Sequence, residues 1–184
     1  MTAAPHGPDS PSCWVRRWSH LVPAGAPVLD VACGGGRHLR WFAGRGHPVT
    51  GLDRAAEAVE AARAFGEALQ ADLEDGGPWP LPQRRFGAVV VTNYLWRPLF
   101  PALQDSVAPG GVLLYETFAA GQETVGRPAR PEFLLGPGEL LRLVDRLRIV
   151  AYEDGFLADG PRFVQRIAAV RAGAGEAPPR FPLE

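Results

Sequence analysis

From Ala26 onward, short apolar runs alternate with stretches rich in Ala, Leu and Arg. The segments PVLDVA, HPVTGLD, ALQADL, FGAVVVTN and GGVLLYETF read as strands. The first is almost wholly apolar, as expected of a strand covered on both faces. Between them, RHLRWFAGRG reads as a helix ending at glycines, and RAAEAVEAARAFG as an Ala-rich helix carried by propensity more than by period. EDGGPWPLPQRR has two adjacent glycines and three prolines, so it reads as loop where a simple repeat would want a helix. PLFPALQDSVA is a helix that accommodates Pro98 near its start. ELLRLVDRL is a further helix, and LRIVAYEDG and PRFVQRIAAVRA are the sixth and seventh strands. The stretch AAGQETVGRPARPEFLLGPG has few regular signals and reads as an insertion over residues 119–138. Near the start, SCWVRRWSHL is a short helix with Ser12 as its N-cap and Trp14, Trp18 and Leu21 at helical spacing.

This alternation predicts an α/β fold, a Rossmann-like doubly wound sheet of seven strands, mostly parallel. The last two strands are joined only by DGFLADGP, too short for a helical crossover, so they are expected to pair antiparallel. Residues 1–11, rich in Pro, Gly, Ser and Ala, are expected to be a disordered arm. Residues 12–172 form a single domain and residues 173–184 a loose tail. Such a sheet binds ligands beyond the carboxyl ends of its strands, where the strand order reverses.

Composition narrows the function classes. The 184 residues carry a net charge of −1, which disfavours a nucleic-acid partner. No apolar run reaches the roughly 20 residues that span a bilayer, so no membrane association is expected. The N-terminus lacks a basic region followed by an apolar core, and only two cysteines are present, so the expected location is cytoplasmic. No Cys/His cluster has metal-ligand spacing, and no metal is expected. The expected assembly is a monomer or a homodimer.

The candidate chemistry lies at the strand ends. In VLDVACGGGRHLR, Asp30 precedes a loop of Gly34, Gly35 and Gly36, residues that let backbone amides approach a ligand. A dinucleotide fingerprint would need a third glycine where Leu39 stands. An acid just before the loop suits an ammonium group better than a pyrophosphate. Asp53 closes the second strand, where a carboxylate accepts hydrogen bonds from a ribose diol. Asp72 ends the third and is placed to accept from an exocyclic adenine amine.

DVACGGGRH, GLD, QADLEDG and APGGVLLYETF resemble the successive motifs of class I S-adenosylmethionine-dependent methyltransferases, over residues 26–172. That resemblance implies a seven-stranded sheet with an antiparallel final strand, and S-adenosylmethionine as cofactor with S-adenosylhomocysteine as its product. It implies that Asp30 with the Gly34 to Gly36 loop holds the methionine end and Asp53 the ribose. Asp72 with Leu73 would hold the adenine, Asn93 would contact the cofactor from the fourth strand, and Cys33 and Arg54 complete the set. The GRH and PGEL segments look most like the small tellurite-resistance-type, TehB-like branch. The His-Arg pair of that branch, between its last two strands, has no counterpart in DGFLADG.

The expected activity is methyl transfer to a small-molecule acceptor by in-line displacement. Tyr94 and Glu116 are the candidates for a base or an orienting group, and Trp14, Trp18, Tyr94 and Arg127 the candidate acceptor contacts. Residues 12–21 and 119–138 are expected to form the lid. RNA or protein methylation and a non-catalytic S-adenosylmethionine-binding protein are the alternatives, and Asn93-Tyr94-Leu95-Trp96 lacks the Asn-Pro-Pro-Tyr type segment of nucleobase-directed enzymes.

Overall fold

The computed structural model describes residues 9–173 and 180–183. Most of the expected arm and more than half of the expected tail lie outside the described residues. Seven strands form one sheet: β1 Val28–Val31, β2 Val49–Asp53, β3 Glu67–Gln70, β4 Phe86–Thr92, β5 Val107–Phe118, β6 Arg148–Leu157 and β7 Arg162–Val170. Their order is β3-β2-β1-β4-β5-β7-β6. The first five are parallel to one another. β7 lies antiparallel between β5 and β6, as the short final connection requires. The order reverses between β1 and β4, and the ligand edge is therefore where these two strands end.

Five short α-helices cover the sheet: α1 Cys13–Trp18, α2 Arg37–Ala43, α3 Ala56–Ala62, α4 Phe100–Asp105 and α5 Glu139–Leu143. Ser12 caps α1, its hydroxyl accepting from the Trp14 amide. α5 stops well short of the stretch expected to be helical. Gln104 accepts from the Arg146 amide and donates to the Leu143 carbonyl, so the groups freed when the helix ends are already satisfied.

Two cores lie on opposite faces. Leu29, Val31, Val89, Val91, Leu113 and Tyr115 pack on one. Val28, Val90, Leu114 and Ala168 pack on the other, with Trp14, Val15 and Trp18 of α1 and Leu39 and Phe42 of α2. Strand alternation puts Asp30 and Glu116 on this second face, under α1 and α2, and Thr117 on the first.

Candidate functional site

The chain leaves β1 through Ala32, Cys33 and the glycines. Gly34 and Gly36 have φ of 51° and 80°, a region that disfavours side chains. At Gly36 a Cβ would also come within 3.0 Å of the Phe65 ring. The Gly34 amide donates to Asp53 Oδ2 at 2.8 Å, and the Ala55 amide to Asp53 Oδ1 at 2.9 Å. Asp53 is thus fixed at the mouth of β2, with one lone pair left on each oxygen. Two non-glycine residues take left-handed backbone here, Ala32 at φ 54° and Asn93 at φ 56°. Strain of this kind concentrates at ligand sites.

Both of these residues line a cavity of about 400 Å³ at the carboxyl ends of the strands. Asp53, Arg54, Asp72, Leu73 and Tyr94 line it from the β2, β3 and β4 ends. Thr117 and Phe118 of β5 and Pro128 and Phe133 of the insertion close the opposite side. Asp72 is exposed and accepts from the Glu74 amide at 2.9 Å. A smaller hollow of about 270 Å³ adjoins it, sharing Asp72 and Leu73 and lined by Trp79, Trp96 and Pro98. Of the residues expected from the sequence, Asp53, Arg54, Asp72, Leu73, Asn93 and Tyr94 are brought together here. Asp30, Cys33, Gly34 and Gly36 lie behind them, around the β1 exit.

Asp30 is 1% exposed, and its Oδ2 has no hydrogen-bond partner among the described residues. His38 Nδ1 lies 3.4 Å from it. Burial, with the Asp30 and Asp53 charges adding to it, pushes the Cys33 thiol up to about 12. Cys33 is therefore a protonated wall residue and no nucleophile.

Four expectations are corrected. Trp14 and Trp18 do not face the cavity. They are 1% and 2% exposed in the second core, and the Trp14 indole donates to the Ile167 carbonyl at 3.1 Å. Helix α1 packs by its apolar residues as a fixed wall. Glu116 points away from the cavity because its neighbour Thr117 takes the facing position. Both of its oxygens are engaged, one accepting from Ser12 Oγ at 3.0 Å and the other from Arg166 at 3.3 Å. Tyr94 does line the cavity, but burial and the Glu74 and Asp72 carboxylates raise its pKa well above the ordinary value of 10. With its pKa raised, the phenol keeps its proton, which argues against the role of base. Arg127 is exposed and outside the lining; only its carbonyl is held, by Gln122 Nε2, and Pro128 reaches the cavity instead.

The insertion is anchored at its root. Ala120 donates to the Leu135 carbonyl and Leu135 to that of Phe118, while Gln122 donates to Arg127 and accepts from Phe163. Sequence reasoning named neither Thr117 nor Phe118, and took Pro128 and Phe133 only as part of the expected lid over 119–138. Alternation along GGVLLYETF gave two possible facing sets, and nothing local chose between them. Among the described residues, no three His, Cys, Asp or Glu side chains group to hold a metal, and no helix is long and apolar enough to cross a membrane.

Residues 28–111 match the family model for a methyltransferase domain. Ribosomal protein L11 methyltransferase of Burkholderia thailandensis is 41% identical over 95 residues, 49% of this chain and 31% of that protein. Malonyl-[acyl-carrier protein] O-methyltransferase of Serratia marcescens is 36% identical over 105 residues, 53% and 40% of the two chains. The chain thus spans about a third of the length of the first of these relatives. TehB from Haemophilus influenzae has a similar fold, with a TM-score of 0.69 at 16% identity, over 86% of this chain and 61% of that one. A TehB-like SAM-dependent methyltransferase from Corynebacterium glutamicum gives 0.62 at 19%, over 86% of each.

Proposed function

We propose that the chain, whose residues 28–111 match a methyltransferase domain and whose fold is that of S-adenosylmethionine-dependent methyltransferases, binds S-adenosylmethionine in the 400 Å³ cavity and methylates a small acceptor. The observation that carries this reading is the arrangement around Asp53. It holds the Gly34 amide on one side, keeps lone pairs for a ribose diol, and faces the cavity between Ala32 and Asp72. The residues fit the cofactor at its other end as well. The unpartnered Asp30 Oδ2 suits an ammonium group, which would relieve a buried, unsatisfied oxygen.

When bound, S-adenosylmethionine supplies a methyl group on a positively charged sulfur, open to in-line displacement. The protein's part is alignment and exclusion of water. Leu73 and Asp72 hold the adenine side, and Asn93 with its left-handed backbone shapes the floor. Phe118, Pro128 and Phe133 form the apolar mouth through which a small acceptor enters, with residues 119–138 as its lid. Tyr94 keeps its proton and Glu116 is tied up, so neither takes a proton from the acceptor. On this reading the acceptor arrives with its attacking atom already nucleophilic. We place the protein in the cytoplasm, as a monomer or homodimer.

A protein acceptor is the second reading, favoured by the identity to a ribosomal protein methyltransferase. Calorimetry and thermal shift test the first step: S-adenosylhomocysteine should bind and stabilise, by about 2.7 kcal/mol at 100 times its dissociation constant, and NAD should not. Labelled-methyl transfer into a metabolite fraction, against protein and RNA fractions, tests the second. Label confined to protein would replace the small acceptor with the alternative.

A further inference from the structure

Ser12, His38 and Asp30 form a chain of contacts through the interior that methyl transfer as described does not use. The backbone N–H of Ser12 meets His38 Nε2 at 3.2 Å. An amide N–H only donates, so Nε2 is the ring nitrogen without a proton. In the neutral imidazole the single proton then sits on Nδ1. That nitrogen faces Asp30 Oδ2 at 3.4 Å, with both side chains almost fully buried. The Ser12 hydroxyl turns the other way and donates to Glu116, itself paired with Arg166. The N-terminal segment thus reaches, through His38, a buried strand-end acid whose Oδ2 has no hydrogen-bond partner among the described residues.

We propose that Ser12 and His38 are positioning residues for the cofactor: the Ser12 amide fixes the tautomer of His38, and the Nδ1 proton of His38 fixes the Asp30 carboxylate for the ligand's ammonium group. This rests on the S-adenosylmethionine reading above. Without the Ser12 N–H, the proton is free to move to Nε2. The Nδ1 lone pair then faces the Asp30 charge, and the carboxylate turns away from its ligand position. Binding at Asp30 and seating of the segment before α1 are coupled, each favouring the other.

Two substitutions at one position separate the amide from the hydroxyl. S12A and S12P both lose the Oγ bonds to Trp14 and Glu116, but only S12P loses the N–H. Ser12 has φ −52°, close to what proline requires, so the ring fits the backbone. Calorimetry should show S12P binding S-adenosylhomocysteine about tenfold more weakly than S12A, the weight of the hydrogen bond that a misoriented Asp30 loses to the ligand's ammonium group. ¹⁵N NMR of histidine-labelled protein should find His38 as the Nδ1–H tautomer in wild type and S12A, and shifted toward Nε2–H in S12P. Should S12P not fold, H38N and H38Q decide. Asn sets an amide N–H where Nδ1 stood and should keep affinity within about twofold, while Gln places its amide near Nε2 and should lose about tenfold. Equal affinity in S12A and S12P with an unchanged tautomer, or equal affinity in H38N and H38Q, overturns the proposal. Wild-type protein that fails to bind S-adenosylhomocysteine overturns the cofactor reading and the proposal with it.

Discussion

The Gly34 amide donates to Asp53 Oδ2 at 2.8 Å, tying the glycine loop after β1 to the end of β2. One carboxylate thus shapes the loop and faces the cavity. Asp53→Ala should lose at least about tenfold in S-adenosylhomocysteine affinity, since hydrogen bonds to charged groups contribute about 1.5–3 kcal/mol. It should also lower the melting temperature, because the Gly34 and Ala55 amides lose their acceptor. Unchanged calorimetric affinity in a folded variant would take Asp53 out of the site.

All three tyrosines are held above their ordinary pKa of 10, chiefly by burial: Tyr152 to about 12, Tyr94 and Tyr115 further still. The Tyr115 hydroxyl also donates to the Tyr94 carbonyl at 2.6 Å, which favours its protonated form. An ultraviolet titration of the native protein should show almost no tyrosinate at pH 10, and a full phenolate signal after unfolding. Correspondingly, Tyr94→Phe should leave the pH dependence of methyl transfer unmoved. An acidic limb that disappears in Tyr94→Phe would restore Tyr94 as a base.

Arg97 joins the insertion to α5, with two bonds to Glu139 and one each to the Glu132 and Leu134 carbonyls. These bonds to Arg97, helped by the Gly136 amide, hold the Glu139 carboxyl below its ordinary 4.5 against the opposing effect of burial. A depressed carboxyl stabilises the fold above its unfolded value and loses that contribution as pH falls through the folded one. Glu139→Gln should therefore melt lower than wild type at pH 7, and the gap should close below about pH 4.5. With Arg97 37% exposed, the gap corresponds to about 1 kcal/mol or less. A gap that persists unchanged at pH 3 would show that the charge on Glu139 contributes nothing.

The sheet was readable because buried strands announce themselves as apolar runs and glycines and prolines punctuate them. The reversed last strand followed from a connection too short for a helix. Asp53 and Asp72 stood out in the sequence because they follow successive strands, where a carboxylate can meet a ligand. The facing choice in β5 was not readable. It depends on how Tyr115 and Glu116 register against Val91 and Thr92 of β4, a contact between distant parts of the chain. The length of α5 likewise depends on Gln104 reaching across from α4. The contact of His38 with the Ser12 amide, 26 residues away, was not readable either.

The tryptophans of α1 supply the sharpest contrast between lid and core. An apolar helix beside a glycine-rich insertion has the composition of a lid, and deleting it would then spare cofactor affinity and abolish turnover. In the structure Trp14 and Trp18 are among the largest fully buried side chains, their rings 5.6 Å apart, and the Trp14 indole N–H is bonded to β7. Removing a buried Trp side chain costs about 3–5 kcal/mol. Two such losses approach the whole stability of a typical domain, about 5–15 kcal/mol. Deletion of residues 1–18 also removes the Ser12 bonds to His38 and Glu116. The truncated protein should lose stability and S-adenosylhomocysteine affinity together, and Trp14→Ala alone should lower the melting temperature sharply. Melting curves and calorimetry on both variants decide it. A truncated protein that melts with wild type, binds S-adenosylhomocysteine normally and fails only in methyl transfer would return α1 to the role of a lid.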